Sequence, residues 1–316
     1  MSTATFGSTR LPREQHRALK KAKRLQVISL VYLATAVSLV AAVMGSSQAM
    51  KAAWIEDCLS FLPPLAFLLA VRKVRREPDH EHPYGYHRAV GAAHLAASVA
   101  LLALGGFMVV DSMMTLVRQE HPTISTIDLF GHTVWLGWVM MGALVYTGFP
   151  PVILGRMKLK LAEQLHDKVL YADADMNKAD WSTAGGAMLG ILGIGLGLWW
   201  ADSVVATFIA ASIVKDGWTN ISNALSGLLD RQARTYDDSE DHPAIDQVRR
   251  FFAGLPWVDE VAVRMRDEGH VFHTEVFVVP VGEPSLQTLE TARDRARELD
   301  WKLQDLQVVP VSELPA

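Results

Sequence analysis

Long apolar runs alternate with short charged segments up to about residue 230, and shorter mixed runs follow. A membrane span needs about 20 mostly apolar residues. Six stretches meet that pattern: 25–46, 52–71, 89–117, 134–153, a fifth ending at Trp200, and 203–229. Whole windows within them lack charge, which argues against a soluble bundle of core helices. Lipid offers no partner to an unpaired backbone group, so the spans are predicted to be helices. Pro63 and Pro64 should kink the second span, because a proline ring removes a helix hydrogen bond. Gly186 and Gly190 are spaced to let a neighbouring helix approach closely.

After residue 230 the pattern predicts a different kind of structure. The polar, acidic stretch 231–241 reads as a linker. A helix over 243–255, strands over 258–266 and 271–280, a helix over 284–299 and a strand over 306–311 follow. The order αββαβ implies a small ferredoxin-like α+β domain, with two helices on a three-stranded sheet. The predicted fold class is thus a membrane all-α bundle of six helices followed by this domain. The divisions are 1–24, an N-terminal segment; 25–230, the bundle; 231–241, the linker; and 242–316, the α+β domain. So small a domain gains from a dimer contact.

Half of the 316 residues are hydrophobic, and the formal net charge is -4. Where the charges sit says more than their sum. Arg10, Arg13, Arg17, Lys20, Lys21, Lys23 and Arg24 precede the first span. Arg72, Lys73, Arg75, Arg76 and Arg88 follow the second, and Arg156, Lys158, Lys160 and Lys168 follow the fourth. The opposite loops hold Lys51, Arg118 and little else, so both termini are expected in the cytoplasm. Trp199 and Trp200 then mark the outer interface. The N-terminus is too long and polar before its first apolar run for a signal peptide. The single cysteine, Cys58, excludes an internal disulfide and a cysteine-rich zinc site. No phosphate-binding glycine loop, nucleophile elbow or HExxH pattern is present, so the chain does not read as an enzyme. No organic cofactor and no nucleic-acid partner is expected.

The candidate chemistry lies in the stretch "YADADMNKAD", at the edge of the fifth span. On a helix, Asp173, Met176, Asn177 and Asp180 fall at i, i+3, i+4 and i+7 and share a face. Span two offers Glu56 and Asp57, with Ser60 a turn away. Acidic helices facing each other repel unless a positive object lies between them, and a divalent cation is the simplest one. The candidate metal-holding residues are Glu56, Asp57, Asp173, Asn177 and Asp180. Lys215 and Asp216 lie inside span six and need partners on other helices. Lys178, Lys215 and Asp216 are candidate salt-bridge or coupling residues, with Lys178 or Lys215 able to fill the acid site when it is empty.

These segments resemble known ones. "DHEHPYGYHRA" is similar to the HPYGxxR loop of cation diffusion facilitator transporters, and "ADADMNKADWSTAGG" to the fifth helix of that family. "WWADSVVA" and "DGWTNISNALSGLLDR" resemble the entry and exit of its sixth helix. The resemblance covers nearly the whole chain. It implies an integral, multi-pass homodimer in the bacterial inner membrane, joined through its C-terminal domain and membrane helices. It also implies export of divalent metal from the cytoplasm, commonly in exchange for protons. The family's transport site joins two residues on helix two to two on helix five. Spacing places Glu56 and Ser60 at the first pair, and Met176 and Asp180 at the second, where the family has a His and an Asp. Loss of the imidazole leaves oxygen donors, which favour manganese or ferrous iron over zinc. The resemblance also implies a candidate second metal site at Asp79, His82 and His87. In the C-terminal domain the family's regulatory histidines fall on Phe277 and "VVPVS", leaving His270, His273 and Glu275 as candidates. The rival readings are a transporter of a non-metal cation and a membrane-held metal sensor or scaffold that moves no ion.

Overall fold

The computed structural model describes residues 11–315 except 75, 77, 78, 83–85, 87, 130 and 270, and omits the side chains of Leu129, Lys178 and Ala179. Its first part is a bundle of helices: α1 (Arg13–Val43), α2 (Gln48–Leu59), α3 (Leu62–Val74), α4 (Ala89–Val117), α5 (Leu136–Leu165), α6 (Lys168–Gly195) and α7 (Ala201–Leu228). Four stretches are long and apolar enough to cross a membrane: α1, α2 with α3, α4 and α5. The helices α6 and α7 are as long, but charged residues lie within both. The bundle is filled mainly by small and flexible side chains such as Ala49, Met50, Ala184, Ala187 and Ala210. Large apolar ones, including Leu69, Phe107, Phe149, Phe208 and Trp218, face outward. That is the arrangement expected where the solvent is itself apolar.

The helix bounds depart from the sequence pattern for identifiable reasons. α1 starts well before the predicted span because Ala18, Leu19 and Ala22 of its charged first turns pack on Phe67, Val71 and Ala162. Span two is broken at Ser60 and Phe61, just before the paired prolines, into α2 and α3. The predicted start of span four lies within two residues of that of α5, and a hairpin that the sequence pattern does not predict, β1 (Thr126–Leu129) with β2 (His132–Trp135), precedes the helix.

Internal polar bonds hold the bundle. Pro150 and Pro151 sit inside α5, where their missing N–H groups leave the carbonyls of Tyr146 and Thr147 without helical partners. The Tyr32 hydroxyl of α1 reaches both, at 2.7 and 3.1 Å. Asp202, in the first turn of α7, is fully buried and accepts from the Ser47 hydroxyl at 2.7 Å and the Gln48 amide at 2.5 Å. It thereby caps the start of α2. Gly217 lets α7 touch α4: a Cβ there would lie 2.8 Å from the backbone nitrogen of Leu102. The predicted glycine pair on α6 also packs, Gly190 against Ala49 and Asp202, and Gly186 against Val205.

The C-terminal domain has the predicted αββαβ order: α8 (Pro243–Ala253), β3 (Val258–Asp267), β4 (Phe272–Pro280), α9 (Leu286–Arg297) and β5 (Asp305–Pro310). The central β4 pairs antiparallel with β3 and parallel with β5. Phe252, Phe272, Val276, Val278 and Leu303 form its core. The segment read as a linker is bound into the structure: Ala233 donates to the Met265 carbonyl at 2.7 Å, and Asp238 accepts from Lys168 at 2.8 Å.

This junction is polar and buried at its centre. His166 ends α5 in the left-handed region, buried, with Nε2 3.1 Å from the Arg234 carbonyl. Its ring meets those of His242, Tyr236 and Phe272 edge-on. Lys302 is buried beside it, 3.3 Å from Asp267 Oδ1 and 3.0 Å from the Gly269 carbonyl. Burial, then the charge of Lys302, pushes the His166 pKa down from 6.5 to about 2. Burial lowers His242 as well.

Two outcomes are expected. Tyr32→Phe strands two carbonyls and should cost about 1–3 kcal/mol, read as a lower midpoint of thermal unfolding in detergent. The unfolded chain protonates His166 below pH 6.5 while the folded junction does not. Docking is therefore at full strength above that pH and weakens as pH falls, by up to about 1.4 kcal/mol per pH unit. Hydrogen-exchange protection factors in α8 and β4, referred to the intrinsic rate at each pH, should fall between pH 7.5 and 5.5, and His166→Gln should leave only the slope due to His242.

Candidate functional site

The break between α2 and α3 sets the height of Glu56 and Asp57, which lie in the last turn of α2. Glu56 Oε1 accepts from the Thr183 hydroxyl of α6 at 3.2 Å. Thr183 is three residues, about one turn, from Asp180. The α2 carboxylates therefore stand against the acid face of α6. Asp180 is buried and senses the charges of Glu56 and Asp57. Asp57 Oδ2 and Asn177 Nδ2 are buried atoms with no hydrogen-bond partner. Among the described residues no group of three or more His, Cys, Asp or Glu stands close enough to hold a metal ion as the side chains lie. Ser60 is not turned to a ligand role here: its hydroxyl donates to the Glu56 carbonyl at 3.0 Å.

Asp173 shares the α6 face but is already paired. Its Oδ2 is 2.7 Å from Lys158 Nζ of α5 and accepts from Gln26 Nε2 of α1, also at 2.7 Å. Lys158 is 1% exposed. Sequence reasoning missed it, counting it among the cytoplasmic loop charges because it follows the predicted end of span four. The signal that could have found it is its helical register. Lys158 lies three residues from Gly155, where a Cβ would press on the Ala174 carbonyl and the Asn177 Cβ of α6. Among the described side chains, the cation on the α6 acid face is Lys158, and Lys215 is exposed. The side chain of Lys178 lies outside the described set.

A cavity of about 480 Å³ opens between α4, α6, α7 and the C-terminal domain, lined in part by His94, Asp175, Met176, Asp216, Asn220 and Glu268. A smaller apolar one shares His94, Met176 and Asn220 and continues to Leu59 and Pro63 at the α2–α3 break. Met176, at the position of the family His, lines both cavities, and none of Glu56, Asp57, Asn177 and Asp180 lines either.

The other candidate sites are engaged differently. Asp79 accepts from the His82 amide at 2.7 Å and the Tyr86 hydroxyl at 2.5 Å. The Tyr86 bond, then the amide, holds its carboxyl down at about 2. His87, the third member, lies outside the described residues, as does His270. His273 Nδ1 is 2.5 Å from Asp305 Oδ2, and Glu275 is bound by Arg264. Both C-terminal candidates that are described already have protein partners.

The cation efflux transmembrane domain family matches residues 25–229. The manganese efflux system protein MneS of Bacillus subtilis is 24% identical over 306 residues, 95% of this chain and 97% of that protein. The manganese efflux system protein MneP of the same organism is 21% identical over 267 residues, 81% of each. The magnetosome protein MamM of Magnetospirillum gryphiswaldense is 26% identical over 214 residues, 65% of this chain and 64% of that protein. The apolar helices and the family match over residues 25–229 agree, and the chain belongs to the cation efflux family of membrane-embedded transporters.

Proposed function

We propose that this protein exports a divalent cation of the manganese class from the cytoplasm in exchange for protons. Glu56 and Asp57 of α2 and Asp180 of α6 bind the cation, with the amide of Asn177 beside them. The observation that carries this reading is the buried Asp57 oxygen with no donor, on a helix whose neighbouring Glu56 is tied to the α6 acid face. Converging carboxylates in a low dielectric repel strongly, and a divalent cation reverses the sign of that energy. The cation draws the side chains into its coordination shell. Asp173, held by Lys158, is not among the ligands.

The choice of metal rests on the donors and the relatives. Oxygen ligands without an imidazole suit hard cations, and two relatives are named for manganese efflux. In this reading all six long helical stretches span the bilayer and both termini are cytoplasmic. The cavity beside the C-terminal domain is the inward-facing entry. The chain works as a homodimer in the bacterial plasma membrane, joined through the C-terminal domain and membrane helices, with domains divided at residues 24, 230 and 241. Outside, protons displace the metal from the carboxylates and are carried inward.

In proteoliposomes, Asp180→Ala should abolish metal-dependent proton flux, with Mn²⁺ the preferred cation of the wild-type protein in a metal-by-metal comparison. Wild-type flux in that variant would refute the site. Binding without transport of any metal would favour a sensor.

A further inference from the structure

The ion pair of Lys158 and Asp173 has an electrostatic role. Lys158 is 1% exposed and Asp173 3% exposed, 2.7 Å apart, at a three-helix seam completed by Gln26 of α1. Exchanging such a pair for apolar side chains is often neutral or stabilising, so stability alone is a weak reason for two buried charges. The seam is also poorly supplied with other polar partners. Gln26 Oε1, Ser29 Oγ and Asn177 Nδ2 are buried there or nearby with no hydrogen bond. Asp173 and Asp180 are both buried and lie two turns, about 10 Å, apart on one face of α6, so the pair stands within electrostatic reach of the acid site.

We propose that Lys158 and Asp173 together set the cation affinity of the α2–α6 site, as a balanced pair in which each charge offsets the other's effect on the bound ion. The proposal rests on the reading of Glu56, Asp57 and Asp180 as that site. A transporter must bind its ion firmly enough to load and loosely enough to release. With the pair intact, Asp173 contributes no net negative charge. Without Lys158, a further uncompensated carboxylate faces the cation and holds it. Without Asp173, a buried ammonium repels it. Removing either charge thus moves affinity in opposite directions, which a purely structural ion pair does not do.

The test is Mn²⁺ transport by the full-length protein in proteoliposomes, with KM and maximal rate measured separately. Lys158→Met should lower KM by about tenfold or more and slow the maximal rate, and Asp173→Asn should raise KM by about tenfold or more. The double variant should return KM to within about threefold of wild type. Shifts of both single variants in the same direction, or no shift in either, would overturn the proposal. If a single variant does not fold, Lys158→Arg and Lys158→Gln give the same contrast. KM should hold in the first and fall in the second, and equal values would overturn it. Asp180→Asn separates the two levels. Saturable transport retained there removes the site itself. Transport lost there, with same-direction shifts in the single variants, removes only the role assigned to the pair.

Discussion

Lipid cannot hydrogen-bond or solvate a charge, so each buried polar group in this bundle must find its partner in the protein. Much of the geometry follows from that constraint. Two prolines in α5 strand two carbonyls, and Tyr32 crosses from α1 to take both. Asp202 is buried in α7 because the start of α2 presents amides and a serine hydroxyl to it. Asp173 lies inside because Lys158 and Gln26 meet it from two other helices. These bonds tie α1, α2, α5, α6 and α7 to one another and determine the height of the acids on α2 and α6.

Against that background, the atoms without a partner carry information. Asp57 Oδ2, Asn177 Nδ2, Gln26 Oε1 and Ser29 Oγ are buried and unbonded in the bundle, as is Ser203 Oγ in the first turn of α7. Two of them belong to the facing acid-bearing elements, and one shares an amide with the Asp173 clamp. An unsatisfied buried donor or acceptor costs roughly 1–3 kcal/mol, more if charged. Four of the five such atoms in the described bundle lie on α1, α2 and α6, the helices that carry or flank the candidate site. The described histidines of the C-terminal domain show the opposite pattern: His273 is engaged by Asp305, and His242 by the rings of His166 and Phe272.

Much of the fold was legible in the chain. The apolar windows located the membrane-length helices, the paired prolines marked the break in span two, and alternating strands announced the αββαβ order. Where periodicity was ambiguous the reading slipped. The short hairpin of β1 and β2 was not predicted, and the amphipathic first turns of α1 are charged enough to pass for a tail. The linker looked free because its acids are polar, yet Lys168 and Met265 bind it in place.

Composition and spacing alone determined which acids share a face of α6, because helical period is a local property. They could not determine partners. Lys158 is fifteen positions from Asp173 and reads as a loop lysine, while Gln26 is 147 positions away. Only the packing of α1, α5 and α6 brings the three together and so removes one carboxylate from the apparent site. An ion pair is a contact between helices, and its energy depends on burial and distance, which no window of the sequence contains.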